Sequence, residues 1–258
     1  MKRGYWLIGL LLVVIMAAGC STGSETPDLE ADCPEPVDCP ECPEIECQAP
    51  LGGDVPFEDA WAQSGHADPE AEAFRHWDED DPAVVAPACA TCHSTAGYID
   101  FHGGDGSEVG SIENQVPAID AMGIMCSACH NPAVVQKDSV VMPSGLEIDN
   151  LGAEARCMEC HQGRESKVSL DAAILEAAGV EDPAEIELDS VNEELGFSNI
   201  HYYAAAASKY GTLAQGGYEY SGKSYDGNFA HVESFDTCIE CHDSHTLEVQ
   251  VESCTACH

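Results

Sequence analysis

The chain has 258 residues, with 9 lysines and arginines against 47 aspartates and glutamates, a formal charge of -38, and 15 cysteines. Such a charge excludes attraction to nucleic acid or to anionic lipid as a means of binding. A chain of this length forms one domain or two and buries a core without covalent staples, so the cysteines are expected to serve something other than marginal stability.

Lys2 and Arg3 precede an uncharged run from Gly4 to Gly19. The run is too short to span a bilayer comfortably, and residues 1–19 are predicted to be a signal peptide. The run ends in Ala17-Ala18-Gly19-Cys20, which resembles the lipobox of bacterial lipoproteins. That resemblance implies cleavage before Cys20 and acylation of its thiol; ordinary cleavage near Ala18 is the alternative. The mature protein is therefore expected to be exported and lipid-anchored to the bacterial cell envelope, at the outer membrane or the cell surface.

Residues 20–50 are rich in proline and glutamate and contain little to bury, which predicts an extended tether. Cys33, Cys39, Cys42 and Cys47 lie within it. They suit two disulfides in an oxidising compartment or one four-thiolate metal site. Cys39 and Cys42 have metal-like spacing but no second closely spaced pair accompanies them, which favours disulfides.

From residue 51 to 258 a single domain is expected, and its ten cysteines fall into five copies of one pattern. These are Cys89-Ala-Thr-Cys92-His93, Cys126-Ser-Ala-Cys129-His130, Cys157-Met-Glu-Cys160-His161, Cys238-Ile-Glu-Cys241-His242 and Cys254-Thr-Ala-Cys257-His258. C-x-x-C-H is the attachment signature of c-type haem: two thiols separated by two residues reach the two vinyl groups of one porphyrin edge, and the adjacent imidazole takes the iron. Independent residue frequencies would produce about 0.04 matches in such a chain. Zinc ribbons also use C-x-x-C pairs but do not require histidine directly after the second cysteine, and redox-active dithiols occur singly beside a βαβ pattern that is missing here. The tether pair Cys39–Cys42 is followed by Pro43 and is expected to carry no haem.

With these motifs the chain resembles the multihaem c-type cytochromes of bacteria, from about residue 60 to its end. Cys241-His242-Asp243-Ser244-His245 and the short motif spacing add a looser similarity to outer-surface cytochromes that pass electrons out of the cell. The resemblance implies a multihaem cytochrome c fold, mostly irregular with short α-helices and a few small β-hairpins, wrapped around five covalently bound haem c groups. Helices are predicted at about Leu170 to Ala178 and Asn199 to Tyr210, and hairpins at Val140–Ile148 and Tyr218–Tyr225.

The motif histidines His93, His130, His161, His242 and His258 are the expected proximal iron ligands, leaving six others among the eleven. His66, His76, His201, His231 and His245 are the distal candidates. His102, in a glycine-rich acidic turn, is expected to be the spare. Met122, Met125 and Met142 compete as distal ligands, whereas Met158, inside a cysteine pair, is expected to point away. His66 and His76 flank a helical stretch, Glu70–Phe74. His201 is predicted on a helix whose small residues Ala204, Ala205 and Ser208 admit a flat porphyrin. His231 has Phe229 and Phe235 nearby, and Tyr202 and Tyr203 are expected to pack in the core or on haem. His245, three residues beyond His242, is expected to serve a neighbouring iron and to bridge the haems of Cys238 and Cys254.

These features predict electron transfer through five mostly bis-histidine haems of low potential, with redox partner proteins or extracellular and metal acceptors as partners. Calcium capture at acidic loops such as Asp78–Asp81 is a further expectation, a solvated acidic face its alternative. A multihaem reductase of nitrite, hydroxylamine or sulfur oxyanions with one open iron, and a subunit of an extracellular filament, are the competing functions. Because the chain stops at His258, the last residue of a motif, further haems beyond it are also an expectation.

Overall fold

The computed structural model describes residues 55–187 and 189–258, which belong to one compact unit, Asp54–His258. The signal peptide, Cys20 and the four tether cysteines lie outside the described residues. The elements, in order, are α1 (Glu58–Trp61), α2 (Glu72–Arg75), β1 (Val84–Val85), α3 (Pro87–His93), α4 (Thr95–Phe101), β2 (Val116–Pro117), α5 (Cys126–Cys129), β3 (Val140–Val141), β4 (Glu147–Ile148), α6 (Ala155–His161), α7 (Lys167–Ala178), α8 (Ala205–Ala214), α9 (Cys238–Cys241) and α10 (Val251–Cys254). Short 3-10 turns and irregular chain connect them. Among the described residues no helix is long and apolar enough to cross a membrane.

Local chemistry sets the boundaries. α7 starts at Lys167, earlier than expected, because Ser166 and Ser169 form a reciprocal capping box; it stops at Gly179, whose φ of 67° suits glycine. α2 starts only at Glu72, since the Asp68 carboxylate accepts the Glu70 N–H at 3.0 Å and holds that turn out of the helix. The hairpin expected at 140–148 forms, with Val140 opposite Ile148. The one expected at 218–225 does not: the Tyr225 hydroxyl accepts the Tyr220 N–H at 2.9 Å and closes a turn without strands. β1 pairs with the distant β2, Val84 opposite Pro117.

The helix expected from Asn199 is corrected most. Residues 199–204 are not helical, because His201 and Tyr203 adopt φ of 87° and 54°, a region costly for side-chain-bearing residues. α8 begins at Ala205 and breaks at Gly211 (φ 46°, ψ -129°), so the glycine does interrupt it. A Cβ at Gly211 would lie 2.4 Å from the Asp226 carbonyl oxygen, so no other residue fits.

Three small apolar clusters replace a single core. The largest joins Val140, Met142, Ile148, Leu151, Met158, Ala206 and Tyr210. A second gathers Trp77, Val85, Ala90, Val116 and Ala118, and a third Phe74, Tyr98, Ile124, Ala128 and Val134. Each cluster receives a residue from between the two cysteines of one motif: Met158, Ala90 and Ala128 are all buried. The α3, α5 and α6 turns are thus anchored by their inner residues. Met158 is buried in the largest cluster, and Met142 is committed to the same core, which removes it from the candidate ligands. α3 and α4 cross so closely that a Cβ on Gly97 would lie 2.3 Å from the Ala90 carbonyl oxygen. Ser94 fixes that crossing by donating to the Ala90 carbonyl and accepting the Gly97 N–H, each at 2.9 Å.

The loop after α4 is tied down by Asp100, only 2% exposed. Its Oδ2 accepts the N–H groups of Glu113 and Asn114 at 3.1 and 2.8 Å. Burial opposes its ionisation, but these hydrogen bonds outweigh burial and hold its pKa below the ordinary carboxylate value. A depressed folded pKa stabilises the fold above the unfolded value and loses that contribution as pH falls through the folded one. Asp100→Asn should therefore cost about 1 to 2 kcal/mol near neutral pH and flatten the decline in stability below about pH 4, as read from denaturant melts of the holoprotein.

Candidate haem sites

All five motifs adopt the same turn. Cys89–His93 and Cys157–His161 lie within α3 and α6. In the other three the histidine N–H bonds to the first cysteine carbonyl: His130 to Cys126 at 2.9 Å, His242 to Cys238 at 2.8 Å and His258 to Cys254 at 2.9 Å. One helical turn puts positions i, i+3 and i+4 on one face, so both thiols and the imidazole leave each motif on the same side. None of the ten cysteines is in a disulfide.

Three of the motif imidazoles are held by a backbone carbonyl at Nδ1. Nδ1 of His93 meets the Ala73 carbonyl at 2.8 Å, that of His161 the Tyr203 carbonyl at 3.1 Å, and that of His242 the Leu247 carbonyl at 2.9 Å. Such a bond fixes the ring and leaves Nε2 for iron. Burial, followed by the charge of His161, lowers the pKa of His66 to about 4. Burial is also the leading cause that lowers His93 and His201. These side chains are neutral near pH 7, the form that binds metal.

Four motif histidines each face one histidine from elsewhere in the chain. Ring centres are 6.3 Å apart for His161 and His66, 6.3 Å for His130 and His245, 6.2 Å for His258 and His231, and 5.8 Å for His93 and His201. These separations fall toward the long end of the range for paired aromatic rings. Two imidazoles bound through nitrogen to one metal, each at about 2 Å, have ring centres about 6 Å apart. The spacing therefore fits one iron per pair.

The supports of these pairs come from loops. The strained segment 200–203 serves two motifs at once: His201 faces His93, and the Tyr203 carbonyl holds His161. Backbone strain of this kind persists where surrounding structure imposes it, here through the Ile200 carbonyl accepting the Arg164 N–H at 2.9 Å. His66 is clamped by Ile124, whose N–H donates to its carbonyl at 2.8 Å. His245 lies flat on Phe57, ring centres 4.4 Å apart.

Several expectations change. His245 faces His130, and His258 pairs with His231, so His245 does not bridge the Cys238 and Cys254 motifs. His76 is solvent-exposed, with Nδ1 3.3 Å from Glu72 and its ring edge-on to Trp77, and it faces no motif histidine. His102 also pairs with none, but not because its turn is loose: its side chain is 7% exposed, wedged against Tyr98 and Phe101. Tyr202 and Tyr203 are exposed rather than packed in the core, and Phe229 is mostly exposed, with one edge near Gly211. At the acidic run 78–81, Asp78 reaches Arg75 at 3.6 Å, and among the described residues no three histidine, cysteine or acidic side chains cluster as a cation site.

Neighbouring motifs touch through sulfur. Cys92 Sγ lies 3.9 Å from the Glu159 carbonyl and Cys160 Sγ 3.8 Å from the Thr91 carbonyl, Cys238 packs against the cluster that holds Met158, and Cys129 lies close enough to Cys157 for its charge to be felt. The motif at 157–161 is therefore central. Scarce cations gather beside it: Lys137 pairs with buried Glu159 at 2.8 Å, Arg156 donates to the Cys129 carbonyl at 3.0 Å, and Lys209 pairs with buried Glu154 at 3.0 Å. Glu154 also accepts the Cys238 N–H at 2.9 Å, tying α8 to the start of α9. Sequence reasoning missed this pair, whose members are 55 residues apart.

No protein-family model, curated protein or solved structure matches this chain.

Proposed function

We propose that the chain is an exported, lipid-anchored electron carrier that passes electrons through five covalently bound haem c groups. The observation that carries this is the set of four histidine pairs, each joining one motif histidine to one outside the motifs at the separation a single iron requires. Haem, once attached, supplies one-electron chemistry. At the four paired sites the chain would hold iron between two imidazoles, with the His93 and His161 rings set by backbone carbonyls, and would exclude substrate from those irons. Sulfur contacts between motifs would bring porphyrin edges together in the order 89–93, 157–161, 238–242, with 126–130 beside the centre.

The charge of -38 stabilises ferric over ferrous iron and favours low potentials and cationic partners. Reduction of the holoprotein by a small cationic donor should reach the chain's haems in one run and slow as ionic strength rises, while an anionic donor should speed up. Rapid steady-state turnover of nitrite or hydroxylamine, with no such salt dependence, would instead support the reductase.

A further inference from the structure

All eleven histidines lie among the described residues, and the four facing pairs use eight of them. His242 is prepared like His93 and His161, with its Nδ1 on the Leu247 carbonyl at 2.9 Å and Nε2 left for iron. Yet among the described residues no second imidazole stands opposite it. The two histidines left over are placed elsewhere. His102 is buried between Tyr98 and Phe101, near the Lys137–Glu159 pair, and His76 lies on α2's end beside Trp77, which packs edge-on to His93.

We infer that the iron carried by Cys238, Cys241 and His242 takes no histidine from residues 55–258 on its distal side and is, of the five, the one iron open to a small exogenous ligand. The inference rests on the haem reading above and adds to it a single reactive position in an otherwise closed wire. The ligand class follows from charge. Asp236, Glu240 and Asp243 lie on or beside this motif, the Glu240 carboxylate accepting the Asp236 N–H at 2.9 Å and that of Asp243 the Thr246 N–H at 2.8 Å. An anionic rim disfavours cyanide or nitrite and leaves neutral diatomic molecules, which bind ferrous iron without bringing charge into the site. Cys238 packs against the cluster that holds Met158, and its N–H bonds to Glu154 just before α6, so this motif adjoins the central one and a ligand bound here would interrupt or report on the wire near its middle.

The test uses holoprotein in which five haems have first been counted by pyridine haemochrome; a failed count would sink the haem reading, and only a full count bears on the inference. Reduced protein is titrated with carbon monoxide and oxidised protein examined by electron paramagnetic resonance. One carbon monoxide per chain and one high-spin ferric haem in five are expected. A four-haem variant, Cys238→Ser with Cys241→Ser, should lose carbon monoxide uptake entirely. No uptake with a wholly low-spin spectrum overturns the inference, because His76, His102 or a methionine would then complete the iron. Uptake that survives in the four-haem variant also overturns it, as does a high-spin signal that appears only on dilution, since a second copy would then be the donor.

Discussion

Replacing all ten motif cysteines by serine should leave a chain without a cooperative thermal transition and with most of its helical circular dichroism gone. The polypeptide by itself has little to hold it. Among the described residues the longest helix, α7, has 12 residues and buries none of them, and isolated helices of that length are marginal in water. The three apolar clusters are small and separate, while large apolar side chains such as Ile119, Met122, Phe197 and Val251 remain exposed. Five porphyrins would add the missing apolar mass and fix it covalently, as metals do in small domains. Position should matter. Cys157→Ser with Cys160→Ser removes the motif that touches its neighbours through sulfur and sends Met158 into the largest cluster, so it should abolish the folded holoprotein. Cys254→Ser with Cys257→Ser removes a motif whose residues are largely exposed, and should leave a folded four-haem protein. Visible and far-ultraviolet circular dichroism distinguish these outcomes.

The second large effect concerns potential. His66→Met should keep the haem of Cys157–His161 low-spin and raise its midpoint by about 100 mV or more, because a thioether stabilises ferrous iron relative to a second imidazole. His66→Ala should instead open that iron and add a high-spin signal. His102→Ala serves as the control: its ring is buried but faces no motif histidine, so the number of low-spin haems should not change although stability falls. Spectroelectrochemistry of the three variants reads all of these shifts. If the His102 variant lost a low-spin haem while the His66 variants did not, the pairing of His66 with His161 would be wrong.

The sequence made the motif chemistry legible and left the assembly hidden. C-x-x-C-H is a local signal, fixed by the span of one helical turn, and the structure gives all five copies that turn. Distal histidines are non-local. Nothing in Ser198–Tyr203 announces that His201 leaves the helix at positive φ to face His93, because the strain is imposed by packing against Gly163 and Arg164. The proximity of Cys238 to Cys254 in sequence suggested a bridge through His245, but the chain folds that imidazole onto His130 instead. In sequence His102 reads as the spare because a glycine-rich turn is poorly suited to fixing an imidazole, yet the preceding helix buries and fixes it. Glu154 and Lys209 carry no motif at all, and only folding brings them together beneath the Cys238 turn.

Everything proposed for this chain rests on covalent attachment of iron porphyrin at ten sulfurs. Intact-mass spectrometry of protein purified from a host that matures c-type haem measures that directly. The account predicts the mature polypeptide plus five haem masses, retained under denaturing conditions, with the tether cysteines free of them. A polypeptide of unmodified mass, or one carrying zinc that denaturation releases, would contradict it.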